Sequence, residues 1–248
     1  MRRKILGVIP ARFGSARFPG KVLALLSSKT ILQHVYERAS QSRYLSHTIV
    51  ATDDERIYQA ARSFGAPARM TRADHASGTD RVAEVASAED AAVVVNIQGD
   101  EPLIDPASID AAILPVIHDA DVAMATLKKR IEDPREIGDP NVVKVVTNPA
   151  GDAIYFSRCA VPYSRGQGAV WFKHIGLYVY RRDFLLGYSR LPAGPLERAE
   201  CLEQLRAIEN GYSIRVVETD SESLGVDTPE DLERVSRLLE ASMIPGVK

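Results

Sequence analysis

Ile5-Leu-Gly-Val-Ile-Pro-Ala-Arg-Phe-Gly-Ser-Ala-Arg-Phe-Pro-Gly-Lys21 is the stretch from which the fold is read. Ile5 to Ile9 is a short apolar run and reads as an opening strand. The loop behind it carries Gly14, Gly20 and Ser15, with the cations Arg12, Arg17 and Lys21. Glycines let a backbone approach closely, and free N–H groups and cations meet negative charge, so such a loop can wrap a polyphosphate. The Walker spacing fails, because Gly14 and Gly20 are six apart and Val22 stands where Ser or Thr belongs. The G-x-G-x-x-G spacing fails as well. Loops after a first strand also carry Gly, Pro and Arg with no ligand, but clustered charge favours an anion here.

Working outward, strand-like and helix-like segments alternate. Ile31, Leu32, Val35 and Ala39 have helical spacing, so residues 30–40 read as an amphipathic helix. Thr48–Ala51 reads as a strand, followed by a helix capped by Asp53 or Asp54 and ended at Gly65. Residues 78–88 read as helix, and Ala91–Ile97 as a strand buried on both faces. Asp105-Pro106 is a cap followed by proline at the first helical position. Strands are expected over 121–127, 142–147, 153–156 and 174–180, a long helix over 195–209, and a last helix capped by Thr228. The Pro/Gly-bearing stretch 160–170 reads as an excursion. This order predicts an α/β protein: three layers, α/β/α, around a mostly parallel sheet, in one domain.

Composition bounds the function. The chain has 248 residues, 45% apolar and 26% charged, which suits an ordinary globular domain. A net charge of −2 argues against broad binding to nucleic acid or acidic membranes, so an anionic ligand must be met locally. Cys159 and Cys201 have no metal-ligand spacing and form no disulfide framework, which points to a reduced cytoplasmic protein. Met1-Arg-Arg-Lys resembles the start of a signal peptide, but the apolar run behind it is too short, and no stretch reaches membrane-spanning length.

In open α/β sheets, ligands bind at the carboxyl ends of strands. Asn96-Ile-Gln-Gly-Asp-Glu-Pro102 follows the most buried strand and presents Asp100 there. A carboxylate at that place suits Mg²⁺, which takes one or two protein carboxylates together with substrate phosphates. The same residues also read as a plain Gly-Asp turn. Asp227 precedes the last helix and is a second candidate, or simply a charge favoured by the positive helix end. Arg72, Ser77 and Thr79 can read a base or hold a phosphate, and Ser77 equally reads as a helix cap. His174 and Tyr178 share a strand face by two-residue alternation, where they are either sugar contacts or structural. Within 195–209, Leu196, Ala199, Leu202, Leu205 and Ile208 form the buried stripe, and Glu200, Glu203 and Gln204 fall off it.

Taken together, IPARFGSARFPGK, VATDD, MTRADHASGTDR, NIQGDEP, YFSR, HIGLYVY, PLERAECLEQLR and GVDTPEDL resemble the 3-deoxy-manno-octulosonate (Kdo) cytidylyltransferase family, also called CMP-Kdo synthetase. The match runs nearly end to end, and SGTDR, NIQGDEP and GVDTPEDL separate it from general sugar-1-phosphate nucleotidylyltransferases. The resemblance implies a Rossmann-like nucleotidyltransferase fold of the glycosyltransferase-A type, with CTP as co-substrate. Arg12 and Lys21 would contact its phosphates, with Ala11, Ser15 and Arg17 in the same loop and Arg72, Ser77 and Thr79 near the cytidine. Asp100 and Asp227 would hold Mg²⁺, of which the family uses two ions. Gln98, His174, Tyr178, Glu203 and Gln204 lie in motifs of the sugar site. The implied partners are CTP, an acidic eight-carbon sugar and a second copy of the chain, with the dimer contact within about 121–180. The implied product serves lipopolysaccharide biosynthesis. Sialic acid and 8-amino-8-deoxy-Kdo are alternative sugars, and a catalytically silent nucleotide- or sugar-binding module is the alternative of another class.

Overall fold

The computed structural model describes residues 4–15, 17–166 and 168–243. The charged start Met1-Arg-Arg, Ala16 of the basic loop and Gln167 of the 160–170 stretch lie outside the described residues. The first half runs β1 (Ile5–Pro10), β2 (Leu25–Leu26), β3 (Lys29–Thr30), α1 (Ile31–Ala39), β4 (His47–Thr52), α2 (Glu55–Ser63), β5 (Ala68–Met70), α3 (Gly78–Ser87), β6 (Val93–Asn96) and α4 (Pro106–His118). The second half runs β7 (Met124–Arg130), α5 (Arg135–Gly138), β8 (Lys144–Thr147), β9 (Ala153–Ser157), β10 (Phe172–Arg181), α6 (Arg182–Tyr188), α7 (Pro195–Glu200), α8 (Leu205–Glu209), β11 (Ile214–Glu218) and α9 (Pro229–Met243).

The main sheet has the order β11-β7-β10-β6-β1-β4-β5. β1 pairs in parallel with β4 and β6, β4 with β5, and β7 with β11. β10 enters antiparallel between β6 and β7 and makes the sheet mixed. β8 and β9 pair with each other and join the sheet through β10. Alternation along the strands builds the three layers. Leu6, Val8 and Val94 face one core with Val82 and Val85 of α3, Leu185 of α6 and Leu205 of α8. Ile5, Ile9, Val93 and Val95 face the other, with Leu32 and Val35 of α1, Ile57 of α2, Ile109 and Ile113 of α4 and Val235 of α9.

The caps of α2, α3, α4 and α9 stand where the sequence places them, and α1 gains Thr30 as a cap that the expected span 30–40 puts inside the helix. Thr30, Asp54, Ser77 and Asp105 each accept a backbone N–H at the start of α1, α2, α3 and α4. Asp54 is therefore the cap of α2, and Asp53 instead pairs with Arg81 at 3.2 Å. At α9 the Thr228 hydroxyl accepts from Asp231 N at 3.2 Å, and the Asp231 carboxylate accepts from Thr228 N at 2.9 Å. That reciprocal pair is a capping box with Asp in place of Glu.

One expectation is corrected. The single helix over 195–209 is two short helices, broken at Cys201, whose φ is 52°. The predicted stripe fails with it: Leu196 and Ala199 are exposed, while Gln204 is buried. A non-glycine residue in the left-handed region leaves no mark in hydrophobic periodicity, and tertiary contacts hold it. The strand expected over Ala91–Ile97 is shorter, and the described residues between β9 and β10 form no regular element.

Thr228→Ala removes the hydroxyl half of the capping box and should cost about 1 kcal/mol. For a chain of this size that lowers Tm by about 2–4 °C. Thermal unfolding checks it, and an unchanged Tm would mean that the box does not hold α9.

Candidate active site

The parallel strands β1, β4, β5 and β6 end on one side of the sheet, and the loops behind β1, β5 and β6 form a cleft of about 510 Å³. Ala11, Arg12, Ser15, Arg17, Lys21, Ser77, Gln98, Asp100 and Asp227 all line it. The basic loop is closed on itself, because Gly20 N donates to Phe13 O at 2.9 Å. Ala11 N donates to Ala51 O at 2.8 Å, and the Arg56 guanidinium lies 3.3 Å over the Phe13 ring. Gly99 follows β6 closely packed on this loop. A Cβ there would stand 2.9 Å from Pro10 O, so a side chain would drive the two turns apart. Val226 N donates to Asp100 O at 2.9 Å, which fastens the segment before α9 to the turn after β6.

These contacts bring three distant residues to one point. The Lys21 ammonium donates to Asp100 Oδ2 and, at 2.7 Å, to Asp227 Oδ1. The outer oxygen of Asp227 accepts from the Arg17 guanidinium at 2.7 Å. Burial works against the charge on Lys21, but the two aspartates outweigh it and hold its pKa above the ordinary value. Burial likewise opposes the charge on Asp227, but Lys21 and Arg17 hold that carboxyl below its usual range. Among the described residues, no group of three or more His, Cys, Asp or Glu gathers to hold a metal by protein ligands alone. Two carboxylates that share one ammonium are placed to share one cation, and with substrate phosphates they make a ligand set of the kind Mg²⁺ accepts.

Of the other expected residues, Thr79, His174, Tyr178, Glu203 and Gln204 do not line this cleft, and Gln204 is buried; Glu203 and the strand that carries His174 and Tyr178 touch it through Ser77 and Gln98. Ser77 caps α3, and its hydroxyl also donates to Glu203 Oε1 at 3.2 Å. Burial pushes the Glu203 carboxyl up, against the pull of Thr79, Arg206 and Ser77. Thr79 is buried beneath the cleft, bonded to Glu203 and Tyr180 rather than exposed to a ligand. Gln98 Nε2 donates to Gly176 O at 3.0 Å, at a register shift in β10. His174 and Tyr178 flank that shift with ring centroids 5.4 Å apart. Burial pushes the His174 imidazole down to about 3, so it stays neutral, with Nε2 3.0 Å from the Thr126 hydroxyl. Arg72 does not join the main cleft. It is exposed, pairs with Asp74 at 2.7 Å, and lines a separate depression with His75 and Asp80.

Sequence reasoning assigned no role to three residues that matter here. Arg81 lines the cleft yet is almost wholly buried, paired with Asp53 and bonded to Thr71. The available signal was its position beside Val82, on the face of α3 that packs on the sheet. His75 lines both the cleft and the depression. Glu101 accepts from Ser223 Oγ, and burial lifts its carboxyl to about 7 against that bond.

Comparison with known proteins places the chain. A family model described as "Cytidylyltransferase" matches residues 6–219. A 3-deoxy-manno-octulosonate cytidylyltransferase of Solibacter usitatus is 74% identical, over 100% of this chain and 99% of that protein. One from Geobacter metallireducens is 54% identical, over 94% of this chain and 96% of that protein. Among solved structures, a CMP:2-keto-3-deoxy-manno-octonic acid synthetase complexed with CTP superposes with a TM-score of 0.93 at 45% identity, covering 97% of this chain and all of the other. A 4-diphosphocytidyl-2C-methyl-D-erythritol synthase from Anaerococcus prevotii, with a TM-score of 0.65 at 11% identity over 97% of this chain and all of the other, shares the fold alone. At these identities over nearly its whole length, and with a superposable fold, the chain belongs to the 3-deoxy-manno-octulosonate cytidylyltransferase family.

Proposed function

We propose that the chain transfers the cytidylyl group of CTP to the anomeric hydroxyl of Kdo, giving CMP-Kdo and pyrophosphate. The observation that carries this reading is the convergence of Lys21, Asp100 and Asp227 in a cleft walled by the basic loop. The hydroxyl oxygen of the sugar bonds to the α-phosphorus. The bond from that phosphorus to the bridging oxygen of the β-phosphate breaks, and the hydroxyl proton is released. No covalent enzyme nucleophile is needed.

In this reading, Arg12, Arg17 and Lys21 bind the triphosphate and stabilise the charge that grows on pyrophosphate. The carboxylates around Lys21 keep it charged for that task. Asp100 and Asp227 would hold Mg²⁺ between them, an ion that offsets phosphate charge and lowers the pKa of the attacking hydroxyl when bound. The rim made by Ser77 and Gln98 leads to the sugar end, where Glu203, Gln204, His174 and Tyr178 gather. His174 is neutral there, so it offers the sugar a hydrogen bond rather than a charge.

A second copy of the chain completes the reading. Ile154, Tyr163 and Val170 are exposed on the segment between β8 and β10, within the span expected to carry the dimer contact. Exposed free Cys159 and Cys201 suit a reducing cytoplasm, and no helix among the described residues is long and apolar enough to cross a membrane. The product would supply lipopolysaccharide assembly.

Asp100→Asn and Asp227→Asn should each lower turnover by at least ~10²-fold with the fold retained, the scale of one strong electrostatic contribution at a reacting centre. Initial rates across a Mg²⁺ series check this, and near-normal activity at limiting Mg²⁺ would remove the metal assignment. Lys21→Ala should raise the KM for CTP, since a point charge on phosphate is lost. Unchanged CTP kinetics would put the polyphosphate elsewhere. Offered Kdo and its 8-amino analogue in equal amounts with limiting CTP, the enzyme should form mainly CMP-Kdo and should use sialic acid poorly. A polar pocket rejects analogues that leave buried groups unpaired. Predominance of the amino-sugar product would overturn the substrate and leave the chemistry standing.

A further inference from the structure

The turn that carries Glu203 and Gln204 has little support of its own. It lies between α7 and α8, of six and five residues, and begins at Cys201 in the left-handed region. Helices that short do not hold themselves in water. Something else must fix the turn if its side chains are to meet a ligand in one geometry.

Core packing of Leu202 and Leu205 and the bonds from Ser157 and Arg158 to Glu200 anchor the middle, and the two outer ends are tied to each other. Glu209, the last residue of α8, reaches back across the pair. Its Oε1 accepts from Leu196 N at 2.8 Å and its Oε2 from Glu197 N at 2.9 Å. The carboxylate thus takes two of the amides that the first turn of α7 leaves without partners. Gly194 lies directly against it. A Cβ on Gly194 would stand 2.2 Å from Glu209 Cδ and 2.3 Å from each carboxylate oxygen. Its φ of −87° is open to any residue, so the requirement is for space and not for backbone freedom. A second tie runs alongside, where the Arg206 guanidinium donates to both oxygens of Glu197 at 2.8 and 2.5 Å. Between the ties, Tyr188 Oη donates to Glu203 O at 2.7 Å. The Glu203 carboxyl then accepts from Ser77 Oγ, which lines the cleft, while Gln204 beside it is buried.

We propose that Gly194 and Glu209 are positioning residues for the sugar: the Glu209 carboxylate, seated in the space that Gly194 leaves open, clamps α7 to α8 and so fixes Glu203 and Gln204 at the sugar end, behind the Ser77 wall of the cleft. The inference rests on the reading that these two residues meet the sugar. Gly194, Glu209, Glu203 and Gln204 all stand outside the cleft lining, and Glu203 reaches the wall through its bond to Ser77 Oγ, so the effect of the clamp on the sugar passes through the turn and that bond.

The test is steady-state kinetics with each substrate varied in turn, beside thermal unfolding. Glu209→Ala should raise the KM for Kdo about tenfold and leave the KM for CTP within about twofold, the pattern of a binding geometry lost at one end of the site. Glu209→Gln keeps the size and one acceptor oxygen, so it should fold normally and rescue part of the loss. Gly194→Ala should reproduce the sugar effect by expelling Glu209. The double variant G194A/E209A should be no worse than Glu209→Ala, because the clash disappears with the carboxylate, and this non-additivity is the signature of the pair. A rise in both KM values together, or a lower Tm with both unchanged, would overturn the proposal in favour of a purely structural clamp. Glu203→Gln separates the two layers of the argument. If it raises the KM for Kdo and Glu209→Ala does not, the positioning role falls and the function stands. If Glu203→Gln leaves the KM for Kdo unchanged, the sugar is not read at Glu203, and the clamp has nothing to position.

Discussion

The ammonium of Lys21 between the carboxylates of Asp100 and Asp227 is the contact on which the site depends. It joins residues 79 and 206 positions apart along the chain. Without a cation, two carboxylates this close would repel each other, and the segment before α9 would lose its reason to lie beside the turn after β6. The backbone bond from Val226 to Asp100 and the close contact of Gly99 with Pro10 O hold the frame, and the charges fill it. The linkage has two signs. Asp227, with its pKa lowered, contributes stability above the ordinary carboxyl value of about 3.9 that is lost as pH falls through its folded value. Lys21, with its pKa raised, contributes stability below about 10.4 that is lost as pH rises through its folded value. Between these limits Lys21 and Asp227 are both charged, and Asp227 is open enough to solvent, at 47% exposure, for a ligand to reach it.

The sheet order explains why the charged cleft and the region behind its Ser77 and Gln98 wall differ chemically. β1 and β6 are parallel neighbours, so the basic loop and the Gln98–Asp100 turn face each other and form the charged cleft. β10 then runs antiparallel beside β6, and its register shift at Gly176 meets Gln98. That pairing carries His174 and Tyr178 behind the same wall from the far half of the chain. The α7–α8 hairpin closes this side through Glu203 and Ser77. The cleft is built from charge. The region behind it is built from buried hydrogen-bonding groups, a neutral histidine among them.

Much of this was legible in residue patterns, and the exceptions have definite causes. The apolar runs of β1, β4 and β6 and the caps Asp54, Ser77, Asp105 and Thr228 are local signals, and local signals survive folding. The loop cations and the two aspartates were legible because strand ends in such sheets gather ligands. The break at Cys201 was not, since it carries no glycine or proline and is held by contacts from outside. The antiparallel entry of β10 was not, since periodicity says nothing about strand order. In the pattern, Arg81 carries no sign of its buried pairing with Asp53, and Arg72 reads as a cleft residue until Asp74 is seen to hold it outside. Gly194 and Glu209 lie fifteen positions apart, and only the folded hairpin shows one filling the space left by the other.

On the proposed function, Asp100 and Asp227 share one cation with the nucleotide, which requires the Lys21 ammonium to leave them for a phosphate oxygen when CTP binds. The most direct measurement is an anomalous difference map from crystals grown with CTP and Mn²⁺. The expected map has a Mn²⁺ peak in contact with carboxylate oxygens of both aspartates and with the triphosphate, and the Lys21 ammonium turned onto a phosphate oxygen. A peak remote from either aspartate, with Lys21 still bridging the pair while CTP is bound, would contradict it.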